Sequence, residues 1–311
     1  MKQIAEKYRS LKPTIEYFAD EVVVAQSWKK THGYIRSFSW YADTLALDIS
    51  ALTIEENAKK WAGQVKSGHE LNTLELVPAA KSEPWLFDEN GWHSADLSKR
   101  TDKTPLRPLA HLTVRDQTWA SAAMLCLADA VESEQGDCGR KNQSFEDARD
   151  NKVYSYGNRL VCDWKKEKAW FRWGNSETYR KFFTDYQNFL KRPLALGRLV
   201  SSQNLGSEDI FIVNLDLAKF YNTIEIPILI ERLQTIATKF GHEVCDEFWM
   251  AFKRVTDWQW DEKDLELAEE LDLGDIKTGL PQGLVSAGFY ANAYLANFDR
   301  EVGKQIGTEL S

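Results

Sequence analysis

The sequence predicts an α+β fold, and three observations carry that prediction. Residues up to about 75 repeat apolar side chains at helical spacing. Short strand-like pieces follow between prolines and glycines, and a run from Ile210 to Leu217 is nearly all apolar with β-branched members. A chain of 311 residues with 43% hydrophobic and 28% charged content can bury a sizeable core in one large or two ordinary domains.

In the first region Tyr34, Phe38, Tyr41 and Leu45 recur every three to four residues, and Leu45-Ala-Leu-Asp-Ile continues the apolar face. Pro78, Pro84, Asn90-Gly91 and Pro105 then punctuate the chain around Trp85-Leu-Phe and Trp92, which read as short strands. From Thr113 to Glu132 a long helix is expected, with Trp119, Ala122, Ala123, Cys126, Leu127 and Ala130 on one face and a polar loop over 133–151 behind it. Ile210 to Leu217 suits a buried strand at the centre of a sheet. A helix follows over 226–240, with Pro227 in its first turn.

Residues 257–275 hold Asp257, Asp261, Glu262, Asp264, Glu266, Glu269, Glu270, Asp272 and Asp275 against a single Lys263, and read as a solvated helix or loop. A last helix over 284–306 presents Phe289, Tyr290, Ala293, Tyr294, Leu295, Phe298, Val302 and Ile306. These elements divide the chain into a helical region over 1–77, a middle region over 78–205 and a third region over 206–311.

The net charge of -8 argues against an extended nucleic-acid surface, but much of it sits in 257–275, so the remainder is close to neutral and can carry a basic channel. No apolar run approaches the length needed to cross a bilayer, and the N-terminus has no charged-then-apolar leader, which predicts a cytoplasmic chain without a membrane partner. Cys126, Cys138, Cys162 and Cys245 are widely separated, in no ligand pattern, and read as reduced structural thiols. His32, His69 and His93 have no ligand partner at metal spacing, so no zinc site is expected.

Chemistry concentrates in two strings. Residues 214–224, Asn-Leu-Asp-Leu-Ala-Lys-Phe-Tyr-Asn-Thr-Ile, place the carboxylate of Asp216 at the end of an apolar run with Phe220 and Tyr221 just after it. Residues 279–286 read Gly-Leu-Pro-Gln-Gly-Leu-Val-Ser, in which Pro281 suits a helix's first turn, Gln282 projects from that turn and Gly283 allows close backbone approach. Alone, Asp216 reads as a strand-end or capping residue, and Ser286 as small packing. Together the strings resemble motifs A and B of the reverse-transcriptase palm.

Upstream, Arg107-Pro-Leu, Val114-Arg-Asp, Ala120-Ser-Ala-Ala with Glu132, and Ser155-Tyr-Gly-Asn-Arg resemble the fingers motifs of bacterial reverse transcriptases, with Asn158 where the intron enzymes have an aromatic. The details look more like the defence-associated, abortive-infection type than retron or group II intron enzymes, which remain an alternative.

The resemblance covers roughly residues 100–305 and implies right-hand fingers and palm. It implies RNA-directed or template-independent DNA synthesis by phosphoryl transfer, with two Mg²⁺ ions, or Mn²⁺, as cofactors. Asp216 would be the catalytic carboxylate, joined at the metal by the carbonyl of Leu217. Tyr221 would exclude a 2′-hydroxyl, with Phe220 beside it as a core aromatic or a pocket wall. Gln282 and Gly283 would hold the nucleotide, and Lys103 and Arg107 its triphosphate. Small residues at Gly283, Ser286, Ala287 and Gly288 would leave a flat face for template and primer.

Arg115, Asp116 and Arg159 read as an ion-pair set or as template contacts. The implied partners are dNTP, an RNA template or noncoding RNA and nascent DNA, with a second copy or a partner protein left open.

The family's motif C, with its Asp-Asp pair, and the thumb would follow the motif B helix, and Ser311 comes about where that hairpin would begin. A truncated chain, a split enzyme and a noncatalytic nucleic-acid-binding or scaffold relic each account for this. Separately, residues 164–181 interleave Lys165, Lys166, Lys168, Arg172, Arg180 and Lys181 with Trp164, Trp170, Phe171 and Trp173. These are the ingredients of single-strand binding, or of a hairpin with buried tryptophans and a solvated charged face.

Overall fold

The computed structural model describes residues 6–37, 43–81, 85–89, 91–94, 106–139, 153, 155–202 and 215–309. Its helices are α1 (Ile15–Phe18), α2 (Glu21–Ile35), α3 (Thr44–Leu52), α4 (Ile54–Lys66), α5 (Val114–Gln135), α6 (Phe182–Ser202), α7 (Phe220–Thr223), α8 (Ile226–Lys239), α9 (Asp246–Arg254), α10 (Glu262–Glu270) and α11 (Ala287–Glu309). The strands β1 (Glu75–Ala80), β2 (Trp85–Asp88), β3 (Gly91–Ser94), β4 (Leu106–His111), β5 (Cys162–Lys165) and β6 (Lys168–Phe171) form three two-stranded antiparallel sheets, β1-β4, β2-β3 and β5-β6. The architecture is α+β.

Local chemistry sets the helix ends. Asp20 accepts from the backbone N–H groups of Val22 and Val23 to start α2, Asp43 does the same for α3 and Asp261 for α10. Thr113 caps α5 by accepting from Asp116 N–H at 3.3 Å. Pro227 occupies the first turn of α8, where its missing N–H costs no helical bond. In the β1-β4 ladder Pro78 lies opposite Pro108, which suits a two-stranded ribbon with open edges.

The core is organised around α5. Every residue of this helix except Arg115 and Ser133 is buried, so it is enclosed on all sides rather than on the single face its apolar spacing predicts. It packs against α2, β6, α8 and α11. Each fully buried Leu, Met or Phe in such a core contributes about 1.5–3 kcal/mol. One apolar cluster runs from Leu11 to Ala296 and draws side chains from all three predicted regions, including Trp61, Trp119, Leu233 and Tyr290.

Two sequence expectations change. The run Ile210 to Leu217 falls outside the described residues up to 214, and its described end is not a buried strand: Leu215 is 88% exposed and Leu217 55% exposed, with no paired strand beside them. On α11 the apolar stripe is buried only over its first half. Phe289, Tyr290 and Ala293 are enclosed, whereas Phe298 is 62% exposed.

The acidic segment is largely solvated as expected, but Asp264 is buried and accepts from Leu76 N–H at 2.8 Å, tying α10 to β1. Cys126, Cys138, Cys162 and Cys245 are unpaired thiols. Among the described residues no helix is long and apolar enough to cross a membrane.

Candidate functional site

The two chemistry-bearing strings meet. Leu280 N–H donates to the carbonyl of Tyr221 at 2.8 Å, the Thr278 hydroxyl donates to Asn222 O at 3.0 Å, and the Asn222 amide donates to Asp275 O at 2.8 Å. Gly279 makes this approach feasible. Its φ of +85° lies in the left-handed region, and a Cβ there would sit 2.6 Å from Asn222 Cα and closer still to the Tyr221 carbonyl oxygen.

The loop after Gly279 is anchored by its backbone. Gln282 O accepts from Ala110 N–H at 2.6 Å, and Gln282 bridges to Leu109, which brings β4 and its exposed Arg107 alongside. Gln117, fully buried on α5, clamps the other side: its amide donates to Gly283 O at 3.0 Å and accepts from Val285 N–H at 2.8 Å. Tyr179 adds a bond from its hydroxyl to Val285 O at 2.7 Å. At Gly283 φ is +110°, so a side chain there would be strained.

Aromatic rings pack around the junction. Phe220 lies edge-on to Tyr221 with centroids 6.0 Å apart and touches Tyr294 at 6.3 Å. Burial raises the Tyr221 phenol's pKa and pushes Tyr34 up to about 12, with the nearby Tyr221 adding to the effect at Tyr34. Tyr179 is raised further by burial and by the phenol of Tyr34. All three phenols therefore stay neutral through the physiological range.

A second clamp holds the 155–160 loop. Glu132 on α5 accepts from Arg159 Nε at 3.0 Å, from Arg159 Nη2 at 2.8 Å and from Leu160 N–H at 2.9 Å, while Arg159 Nη1 donates to Ser155 O at 2.7 Å. Burial works against the Arg159 charge, but the Glu132 carboxylate outweighs it and raises the guanidinium's pKa. The same loop lies on α11. The Asn292 amide donates to Gly157 O, and a Cβ on Gly288 would meet Asn158 Cβ at 2.8 Å.

The predicted site residues thus separate. Phe220, Tyr221, Gln282 and Gly283 come together, with Arg107 on the adjoining strand. Asp216 and Leu217 lie in an exposed irregular segment just before α7. Lys103 lies outside the described residues. Two assignments are corrected. Arg159 is 1% exposed and wholly engaged by Glu132 and backbone carbonyls, and Ser286 is fully buried, so neither can touch a nucleic acid.

The flat face expected over Ser286, Ala287 and Gly288 is filled by core packing and by Asn158. Arg115 pairs with buried Asp116 at 2.7 Å and donates to Glu70 O at 3.0 Å, the structural reading of that set. Lys165, Lys166 and Arg172 lie on the β5-β6 hairpin and are exposed.

Sequence reasoning missed Gln117, Tyr34 and Tyr179. Gln117 and Tyr179 bond partners far along the chain, so no local signal marked them. A cleft of about 1020 Å³ borders the far side of the junction, lined by Asn222, Thr223, Trp258, Lys277, Gly279 and Pro281. Asp216, Arg107, Tyr221 and Gln282 do not line it.

Among the described residues no three His, Cys, Asp or Glu side chains converge as a metal site. The single carboxylate of Asp216 falls short of the oxygen donors that two hard cations need. Compared with protein-family models, with curated proteins and with solved structures, the chain matches none.

Proposed function

We propose that the chain is a nucleotidyltransferase of the reverse-transcriptase type. In this reading it adds deoxynucleotides to a growing strand within a fingers-and-palm arrangement, as part of antiphage defence in the cytoplasm. The observation that carries the reading is the direct junction of the two strings, Leu280 N–H on Tyr221 O, closed by a glycine that no other residue could replace without a shift.

The pocket it builds has a wall and an anchor. Tyr221 is braced by Phe220, so a sugar bearing an extra hydroxyl would have to displace packed rings rather than a loose side chain. Gln282 is held through its backbone, which leaves its side-chain amide to the ligand. Exposed Arg107 offers a planar cation to a triphosphate from the neighbouring strand. Asp216, in the open segment before α7, would supply one oxygen ligand to a Mg²⁺ ion, which would offset the charge of the phosphates. The described donors do not complete a two-ion centre.

That same shortfall favours a second reading, a noncatalytic nucleic-acid-binding or scaffold subunit built on a polymerase frame. Incorporation of labelled dNTP and rNTP with Mg²⁺ separates the two. The enzyme reading expects dNTP incorporation by the protein and its loss in Asp216→Asn. Equal incorporation by both proteins removes Asp216 from the chemistry, efficient rNTP use removes the role of Tyr221, and no incorporation with any primer supports the scaffold.

A further inference from the structure

We propose that the outer face of the β5-β6 hairpin is a binding platform for single-stranded nucleic acid, separate from the junction at Tyr221 and independent of whether the chain polymerises nucleotides. The hairpin turns through Lys166 and Glu167, with Lys166 at a φ of 57°. Alternation then decides which side chains face out. Ala169 and Phe171 are buried against the core, whereas Asp163, Lys165, Lys168 and Arg172 are exposed, and Trp170, directly opposite Asp163, is half-buried.

A concavity of about 440 Å³ opens on this hairpin, lined by Trp164, Trp170 and Trp173 together with the cations of Arg9, Lys165 and Arg172 and the carboxylate of Asp163. The Lys168 ammonium stands over the Trp170 ring at 5.6 Å, and Arg172 is held by Asp163 at 2.7 Å while remaining 50% exposed. Trp170 is therefore neither in the core nor loose on the surface. It is a part-exposed ring held beside a cation, with Trp164 and Trp173 at the margins, an arrangement in which a base can stack and phosphates be tracked.

Charge supports the choice of ligand. The chain carries -8 overall, yet residues 162–174 hold Lys165, Lys166, Lys168 and Arg172 against Asp163 and Glu167. An acidic protein that gathers cations around part-exposed tryptophans favours a polyanion with flat apolar faces.

The platform is also stiffened from beneath. Lys30 on α2 is fully buried and donates to Arg172 O at 3.1 Å, Asn175 O at 3.2 Å and Glu177 O at 2.7 Å, with its ammonium 4.4 Å from the Phe171 ring centre. Lys29 beside it donates to Gly174 O at 3.1 Å. Tyr8 packs on Trp173 with centroids 5.5 Å apart. The segment carrying Arg172 and Trp173 is thus pre-positioned, which lowers the ordering cost of binding.

The test uses labelled oligothymidylate, oligouridylate and a matched duplex, with fluorescence anisotropy and tryptophan quenching read across a salt series. Trp170→Ala should weaken single-strand binding about tenfold. The Lys165→Glu/Lys168→Glu variant should weaken it and flatten the salt dependence by about 0.7 in slope for each phosphate it no longer neutralises. Stronger binding of either oligonucleotide identifies DNA or RNA as the natural ligand. Thermal unfolding of each variant confirms that its fold is kept, and exposed Lys263→Glu serves as a charge control. Affinities within about twofold of the parent for both hairpin variants, or a duplex bound as tightly as the single strand, overturn the proposal.

Discussion

The residues that hold the Tyr221 junction together and the residues proposed to do its chemistry occupy opposite environments. Gln117, Glu132 and Arg159 are buried and bonded at nearly every polar atom, and Gly279 leaves no room for a side chain. Asp216, Leu217 and Arg107 lie in exposed positions around that frame. A frame built from satisfied buried polar groups fixes the geometry, because each group would cost free energy if its partner moved. An open rim carries little of the fold's stability and is available to a ligand. The contrast predicts a graded series of stability losses from frame to rim.

The deepest element should give the largest loss. Arg159→Met strands a buried carboxylate at Glu132, and urea unfolding should show a loss of about 3–5 kcal/mol. Replacing both partners, as in Glu132→Leu with Arg159→Met, should recover much of it, since the isolated charge goes with the pair. If the single substitution costs less than the double, the pair does not anchor the 155–160 loop.

Gly279→Ala comes next. The added methyl must push the Tyr221 carbonyl and Asn222 apart in a backbone region hostile to side chains, at a cost of about 2–4 kcal/mol. Gln117→Leu follows, with two loop bonds removed and Gly283 O and Val285 N–H left buried, a cost of about 1–3 kcal/mol. On the polymerase reading, both should also lower dNTP incorporation beyond their effect on the folded fraction. Thermal unfolding and incorporation assays on the same preparations separate the two effects.

The frame and the rim were not equally legible in the sequence. Helix starts were, because Thr113 and Pro227 act on their own neighbours, and the short strands at Trp85 and Trp92 were marked by the Asn90-Gly91 dipeptide between them in the sequence. The contact of Tyr221 and Asn222 with Thr278 and Leu280 follows from no local rule, because it joins segments far apart in the chain. Gln117, Tyr34 and Tyr179 were invisible because their partners are distant in sequence, and nothing local distinguishes a clamping glutamine from a solvated one. Arg159 misled for a related reason: a cation's residue type suggests phosphate, whereas its burial and carbonyl partners exist only in the fold. The run ending at Leu217 has the composition of a strand, but a strand needs a neighbour to pair with, and the described residues around Leu215 and Leu217 supply none.

Asp299 on α11 lies between frame and rim. Burial alone pushes its carboxyl up to about 6 from the ordinary 3.8. A folded-state pKa above the unfolded one means that the native protein binds the extra proton between those values. Stability therefore falls as pH rises from about 4 through 6 and stays lower above it. Asp299→Asn should remove that slope and stabilise the protein at pH 7 by about 1 kcal/mol, after allowance for solvent screening of a half-buried group. Unfolding midpoints at pH 4.5 and 7 check this, and an unchanged difference between the two pH values would assign the slope to another group.

Arg107→Ala should move stability least and so sharpens the contrast most. Arg107 is exposed on β4 opposite Ala79, and its removal leaves the backbone pairing of Leu109 and Ala110 with Gln282 intact. The unfolding free energy should stay within about 0.5 kcal/mol of the parent. On the polymerase reading, the KM for dNTP should rise while kcat changes little, the pattern of a group that binds the triphosphate equally in ground and transition states. A stability loss above about 1 kcal/mol would move Arg107 from the rim into the frame, and the alignment of β4 beside Gln282 would then be its role.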